Sequence, residues 1–537
     1  MRPMRAEDLR WEAPGPGLWF SSPEHMPTPG CTLLVELLPH AGRGWLDGTE
    51  AYGLPPNAAA FGSSNRWFFF SPGQPAAVDV DALERRAAET LATRRWKGEL
   101  ERWHRETRPQ VVAANRALLA VDLRALDDAA LATQVEAVVA HWVEMSPRHF
   151  AGVQEGGLSA GALLVAARGW GLDPQAVLLA LAGLASASSS VERLLERVAV
   201  GLRASGVDAP SSLRAVRDVG GDAAAALDEL LVDYGWRVFN TDLLEPTMAE
   251  RPEAFLVGVR AALAGWGQRR RPSRDAVDAL RAQVAAEGRA QFDELMEDAR
   301  AAYGHNDDNT TVLFAMPLGL VRRVVLEVGR RLHDRGRLLA PVDAFEAGSA
   351  ELVALLQDGG PTAAELAERS AFLREVAAVQ PPASLGAPLP PGPPLELGPR
   401  ARELAEIGDA FRQAAWSGAV EPGRAAATVG TEVVRGRAVV VVDPTDALLR
   451  MEPGDVLVAA ATTASYNAIF PVAGAVAVQH GGMMSHPAVL ARELGLTAVI
   501  GVPNLLTRVA DGDLVEVDPV AGTIRVVDAA PREDRSR

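Results

Sequence analysis

Cysteine is nearly absent: Cys31 is the single one in 537 residues. That excludes an intramolecular disulfide and any multi-cysteine metal site, and it makes thiol redox chemistry a poor fit. Lysine is equally scarce, for of 53 basic residues only Lys97 is not an arginine. The skew follows genome composition rather than function, yet it leaves phosphate contacts to arginine, backbone amides or histidine. Long hydrophobic runs are missing too. The longest, Ala176 to Ala187, is interrupted by glycine and falls short of the ~20 residues that cross a bilayer, so no membrane span is expected. The opening, MRPMRAEDLRWEAPGPG, has no continuous apolar stretch behind its charges. A secretory signal is therefore not expected, and the default compartment is the cytoplasm. Neither GxxxxGK[ST] nor GxGxxG occurs, so no nucleotide loop announces itself. A formal charge of −16 disfavours nucleic acid as a partner, because a phosphate backbone is held mainly by Lys and Arg clusters.

What is present is apolar material in quantity, 48% of the chain. The length exceeds one compact core and fits about two to four domains. From Asp81 to about Val379 apolar residues recur at three- and four-residue spacing, which predicts a bundle of about ten helices. Asp81 with Glu84 reads as a capping box, Asp173-Pro174 as an N-cap and first-turn proline with Gly183 as the stop, and Ser190 and Thr362 as further starts. Ahead of the bundle, AAAFGSSNRWFFFSPGQP places aromatic strand formers between turn residues and predicts a small β element. QPPASLGAPLPPGPPLELGPR, Gln380 to Arg400, is too proline-rich for helix or sheet and reads as a semi-rigid linker. After a helix around Ala401 to Trp416, six short β-branched runs follow, from Arg437–Asp443 to Thr523–Asp528. Continuous apolar strands alternating with helix starts predict an α/β layer with a partly parallel sheet. The expected order is residues 1–379 mainly helical, 380–424 linker and connecting helix, and 425–537 α/β.

Within the last part, GAVAVQHGGMMSHPAVLARELGLTAVIGV, Gly474 to Val502, reads as strand, loop, helix and strand. Ser485 is expected as the N-cap, Pro487 in the first turn and Gly495 as the stop. Gly481 and Gly482 let the loop backbone approach a ligand without a Cβ in the way. A helix N-terminus carries unsatisfied N–H groups and a partial positive charge, which favours an anion such as phosphate and disfavours imidazolium. His486 is thus suited to accept a phosphoryl group as phosphohistidine. From the residues alone the plainer alternative, a histidine that caps or packs on the helix, stays open. His480 is expected to be a loop residue.

GGMMSHPAVLARELGLTAVIGV resembles the phosphohistidine motif of the swivelling domain of the phosphoenolpyruvate synthase and pyruvate phosphate dikinase family, the PEP-utilising enzymes. GRAVVVVDPTDALLRMEPGDVLVAAATTASYNAIFP is similar to that family's preceding strand, PGD turn and Thr-rich segment. The resemblance covers about Gly430 to Asp528. Pro487, Thr497 and Ala464 depart from it, and none removes the nucleophile. It implies a swivelling α/β domain whose His486 carries the phosphoryl group, with Ser485, Gly481 and Gly482 completing the catalytic loop. Arg492 and Glu493 then serve the helix and its contacts.

FDELMEDARAAYGHNDDNTTVLFAMPLGLVRRVVLEVGRRLHDRGRL and LVDYGWRVFNTDLLEPTMAERPEAF resemble, more loosely, the central helical region of rifampin-phosphotransferase-like members. This implies a small-molecule pocket between helices, with Arg237, beside Tyr234 and Gly235, as the arginine for the transferred group. His141, Glu144, Arg148 and His149 fall near one helical face, with Pro147 expected to break the helix between them. His149 is a candidate base for an acceptor hydroxyl; its bland alternative is a buried structural histidine. Arg323 is a candidate phosphate contact, although with Glu327 it also reads as an ordinary helix pair. HNDDN, His305 to Asn309, reads as a polar turn and helix start rather than a metal site; no metal ligand set is expected. In the family an ATP-grasp domain precedes the helical region. Here the chain opens on WEAPGPGLWFSSPEHMPTPG, so the expectation is a separate ATP-grasp subunit that binds ATP and Mg, as the two-subunit phenylphosphate synthases imply, with no cofactor on this chain.

The fold class expected is therefore multidomain α + α/β: a large, mainly helical substrate-binding domain with a small β element, then a swivelling phosphohistidine domain. The expected function is transfer of a phosphoryl group from His486 to a hydroxyl of a small molecule, a natural product being one candidate. The alternatives are a phosphorylation-driven dehydratase or cyclase, and a non-catalytic binding or regulatory relative.

Overall fold

Aromatic strand formers build the first sheet of the structure, a computed structural model: β1 (Trp19–Ser21), β2 (Ala60–Ser64), β3 (Trp67–Ser71) and β4 (Ser384–Leu385), in the order β2-β3-β1-β4 with antiparallel neighbours. The residues described are 6–21, 26, 28–56, 60–71, 78–181, 186–238, 241–263, 274–302, 304–389, 395–416, 424–441, 444–462, 466, 469–482 and 485–530. β2 and β3 are joined by Asn65 and Arg66 at φ 47° and 71°, the two-residue turn whose twist matches the strands. The proline-rich segment expected to avoid sheet contributes β4, which pairs Leu385 with Trp19 and Ser384 with Phe20. β4 is an edge strand, the one place where proline-flanked backbone is tolerated in a sheet. Residues 390–394 of that segment lie outside the described residues.

Contacts divide the chain into two compact units, each assembled from three stretches. The first comprises Met1–Glu155, Trp236–Thr247 and Asp308–Ala405. Its core joins Trp19, Phe69, Leu33, Leu34, Trp142 and Val321, all buried. The helix Val80–Thr93 is capped two residues earlier than expected, since Asp79 and not Asp81 accepts the N–H of Ala82 at 2.9 Å. Glu84 instead accepts the N–H groups of Arg400 and Ala401 at 3.0 and 2.9 Å, capping the helix Pro399–Trp416 from a distance. The start expected at Thr362 does carry its capping box with Glu365.

Asp128–Gly169 is one continuous helix of 42 residues, through Pro147. Proline removes one helical hydrogen bond and crowds the preceding turn; tertiary burial overrides it here. Gly44 and Gly48 of the helix Arg43–Tyr52 allow backbone to lie against it, for a Cβ at Gly44 would stand 1.8 Å from the Pro147 carbonyl oxygen and one at Gly48 2.7 Å from that of Ala151. By length and composition this helix is apolar enough to cross a membrane, which the run-length reading overlooked; 56% of its most apolar window is buried in the protein, as in a core helix. It also bears the exposed Glu144–Arg148 ion pair at 2.6 Å.

The second unit comprises Gly156–Gly235, Met248–Asp307 and Glu406–Arg537. Helices around Leu163, Leu178, Phe292 and Ala410 share one core. Asp173 caps Pro174–Leu179 as expected, donated to by Ala176 N–H at 3.1 Å. Ser190 lies inside Ser186–Ala204 rather than starting it, and Gly183 lies outside the described residues. The second sheet has seven strands: β5 (Ala427–Val429), β6 (Val434–Val441), β7 (Val456–Ala459), β8 (Ala475–Val478), β9 (Thr497–Ile500), β10 (Leu514–Asp518) and β11 (Thr523–Asp528). The order is β11-β10-β6-β7-β8-β9-β5, with β6 to β9 parallel and the rest antiparallel. Alternate residues of the parallel strands feed two cores, Leu457 and Val476 on one face, Val456 and Ala475 on the other. Burial on both faces is why these strands read as unbroken apolar runs. The architecture is multidomain α + α/β.

Candidate functional site

β8, the helix His486–Leu494 and β9 form a parallel strand-helix-strand unit. The helix ends on Gly495 at φ 63°, whose N–H reaches the carbonyls of Ala491 and Arg492, the left-handed stop that glycine provides. Its first residue is His486, at the carboxyl ends of the parallel strands, where open α/β sheets place their ligands. The loops after β7 and β8 are tied together there. Gln479 N–H donates to the Ala459 carbonyl at 3.1 Å, and His480 N–H to that of Ala460 at 2.9 Å.

This tie brings Thr462 to the histidine. Its Oγ1 lies 3.3 Å from His486 Nδ1, and the edge of the imidazole meets the Phe470 ring at a centroid distance of 5.9 Å. Thr462 and Phe470 are buried, whereas His486 is half-buried. The ring is thus oriented from behind without being sealed in. Neither Thr462 nor Phe470 was singled out from sequence. Both stand in the quoted Thr-rich segment, so the information was there, but only the fold shows that it backs the histidine.

Ser485 occupies the N-cap position by backbone, at φ −68° and ψ 155°, but its hydroxyl does not cap the helix as expected. It donates to the Gly482 carbonyl at 2.7 Å, and the Ser485 N–H reaches the same oxygen at 3.1 Å. Serine and glycine therefore close the loop on itself, and the serine oxygen is not spent on the first amides of the helix. Gly481 has φ 132°, and a Cβ there would stand 2.7 Å from Ser485 Oγ and 3.0 Å from Ile500 Cγ2. Only glycine satisfies both the angle and the space. Gly481, Gly482, Ser485 and His486 are thus one local construction. His480 is a loop residue beside Gln479, their side-chain nitrogens 3.2 Å apart. Arg492 is buried in the last turn of the helix; nothing is described of the Glu493 side chain.

The other candidates belong to the first unit. His149 Nδ1 lies 3.2 Å from Asn309 Oδ1, and Asn309 Nδ2 donates to the His149 carbonyl at 3.1 Å. Arg237 Nη1 donates to Thr311 Oγ1 at 3.1 Å. The structure so gathers His149 and Arg237 on one stretch, 309–311, where the short α-helix His305–Asn309 passes into the π-helix Thr310–Ala315. Such π segments are frequent at functional sites. Phe150 and Phe314 flank the His149 ring at 4.6 and 5.4 Å. His141 joins through Asn115, which it meets at 2.7 Å and which donates to the Val312 carbonyl at 2.9 Å. Burial favours the neutral imidazole of His141 and lowers its pKa.

Arg323 is not part of this group. It donates to the Val121 carbonyl at 2.7 Å and lies 5.9 Å from the centre of the Trp236 ring, and burial lowers its pKa. Its expected partner Glu327 is taken by Arg330 and Arg331 at 2.8 Å each. HNDDN is helical from its first residue, not a turn; Asp308 accepts from Trp103 Nε1 at 3.0 Å and Arg108 Nε at 2.7 Å. Among the described residues no group of three or more His, Cys, Asp or Glu side chains is placed to hold a metal ion.

Residues 451–522 match the model of the PEP-utilising enzyme mobile domain. The chain is 28% identical over 344 residues to chondramide synthase cmdD of Chondromyces crocatus, covering 59% of this chain and 8% of that protein. It is 26% identical over 310 residues to the uncharacterized phosphotransferase YvkC of Bacillus subtilis, 56% of this chain and 36% of the other. Rifampicin phosphotransferase of Streptomyces sviceus is 39% identical over 99 residues, 18% of this chain and 11% of the enzyme. The chain thus spans well under half the length of these curated relatives. A solution structure of Enzyme I (nEIt) is 16% identical, covering 52% of this chain and 79% of that one at a TM-score of 0.14, too slight a likeness to bear on the fold. With His486 at a helix start behind its glycine loop, this chain carries the mobile domain of the PEP-utilising enzymes and is a relative of their phosphotransferases.

Proposed function

We propose that this chain is the carrier and acceptor-binding component of a phosphotransferase. His486 takes a phosphoryl group originating in ATP, loaded by a separate ATP-grasp subunit that binds ATP and Mg, and hands it to a hydroxyl of a small molecule held by the helical unit. The observation that carries this reading is the Thr462 Oγ1 to His486 Nδ1 contact of 3.3 Å at the start of the helix. A hydroxyl on Nδ1 fixes the ring and assigns the nucleophile's role to Nε2. As Nε2 bonds phosphorus, the helix N-terminus stabilises the incoming dianion. Transfer of a phosphoryl group is mostly positioning and charge stabilisation. Arg237, with His149 near it on 309–311, is the cation proposed to receive that charge in the helical unit. Similarity to a chondramide synthase supports a natural-product acceptor.

The test uses phosphoramidate, a small donor that phosphorylates histidine without the loading subunit. Wild-type chain is expected to gain an acid-labile, base-stable phosphoryl group, mapped by mass spectrometry to His486, and His486→Ala none at that peptide. Equal modification of other histidines with His486 silent would remove the carrier role. Mass spectrometry of the small-molecule product separates a phosphorylated compound from one that has lost phosphate by elimination.

A further inference from the structure

We propose that Glu346 and Arg66 form the hydroxyl-binding couple of the acceptor site, an inference that rests on the phosphotransfer reading above. Glu346 is 1% exposed. Its Oε2 accepts from Thr32 Oγ1 at 2.7 Å and from Arg66 Nη2 at 3.0 Å. Its other oxygen, Oε1, is buried with no hydrogen-bond partner, and so is Arg66 Nη1. A buried polar atom without a partner is costly, more so on a charged group, and native proteins keep few of them.

The two orphan atoms belong to one ion pair, each bonded to the carbon whose other atom makes the bond. The pair thus offers one further acceptor and one further donor. A carboxylate or phosphate would satisfy Arg66 but be repelled by Glu346, and an ammonium the reverse. A hydroxyl satisfies both, donating its proton to Oε1 and accepting from Nη1.

The backbone of Arg66 is a second, independent observation. At φ 71° it holds the second central position of the β2–β3 turn, after Asn65 at φ 47°. That position asks only for positive φ, which glycine supplies without cost. Arginine in the left-handed region carries a steric cost that glycine avoids, and what it adds over glycine is its side chain. The placement is fixed at both ends, by Gly30 N–H on the Arg66 carbonyl at 2.9 Å and Arg369 Nη1 on the Glu346 carbonyl at 2.9 Å. The Arg66 side chain is 16% exposed and that of Glu346 2%, so the arginine is the outer member of the pair.

In the transfer, the acceptor oxygen bonds phosphorus while its proton passes to Glu346 Oε1. The phosphorus–nitrogen bond breaks with its electron pair returning to Nε2 of a ring protonated at Nδ1, so that neutral imidazole is the leaving group. Arg66 remains a cation and holds the oxygen in line.

Phenol is the probe. In crystals of the full chain soaked with phenol, its oxygen is expected within hydrogen-bonding distance of both Glu346 Oε1 and Arg66 Nη1. A lone water on those atoms, or phenol bound only elsewhere, overturns the proposal. In solution, chain loaded on His486 with phosphoramidate is expected to lose label at least tenfold faster with phenol. Glu346→Gln should lose that acceleration and keep its loading. No phenol-driven discharge in the wild type, or equal discharge in the variant, also overturns it. Should Glu346→Gln fail to fold by circular dichroism, Arg66→Gly, which the turn favours, takes its place with the same expectation. Failure of His486 to load at all would strike the phosphotransfer reading instead, leaving the phenol crystals to decide on Glu346 and Arg66.

Discussion

At the scale of single residues, the contact between Thr462 and His486 is the most exposed to test. Thr462→Val keeps the buried shape and removes the hydroxyl. Loading of His486 by phosphoramidate should slow on the order of tenfold, because the ring loses its orientation and not its nucleophile. An unchanged rate would show that the hydroxyl does nothing for the ring. Gly481→Ala is expected to cost about 1–3 kcal/mol, from the positive φ and the approach to Ser485 and Ile500. A urea midpoint equal to wild type would contradict that. His486 itself was legible, since two glycines, a serine and a helix start can be read along the chain. Thr462 was not, because it is placed by a neighbouring parallel strand and strand neighbours are not adjacent in sequence. Arg323 misled for a different reason: four-residue spacing serves Glu327 equally in both directions, and Arg331, four residues on, takes that carboxylate together with Arg330.

Among the elements, the caps divide the readings cleanly. Thr362 and Asp173 do what their local sequence says. Asp81 does not, since Asp79 precedes it with the extended backbone a cap requires, φ −75° and ψ 96°. Asp79→Ala is therefore expected to lower stability by about 1 kcal/mol and Asp81→Ala to leave it nearly unchanged. Denaturation of the two variants with urea checks this, and the reverse ranking would restore the sequence-based assignment. Glu84 caps a helix more than three hundred residues further along, which local patterning has no means to announce. The runs that became β7, β8 and β9 were legible because burial on both faces leaves no alternation to confuse. The missed strands β1, β4 and β5 have two or three residues each, too few to show a period.

For the molecule as a whole, acid stability follows from the arginine network around Glu327. Arg330 first, and Arg331 with it, hold this carboxyl down to about 2 against an ordinary 4.5. The folded state binds that proton more weakly than the unfolded chain does. Its stabilisation is complete above pH 4.5 and is lost as the pH falls toward 2. Glu327→Gln should lose on the order of 1–3 kcal/mol at pH 7 and show a shallower decline between pH 4.5 and 2. Urea midpoints at pH 3 and pH 7 give both numbers; parallel curves for variant and wild type would exclude the network as the cause.

One strand of two residues has a consequence for how the protein is made. β1 lies between β3 and β4, and β4 comes from Ser384–Leu385. On the ribosome, Trp19–Ser21 must therefore wait for the emergence of position 385 before their sheet has its last partner. Contacts of such sequence separation form slowly. A nascent chain stalled before Ser384 should expose Trp19, buried in the finished fold beside Leu385, to holding chaperones, and one stalled after Ala405, with the whole first unit synthesised, should release it.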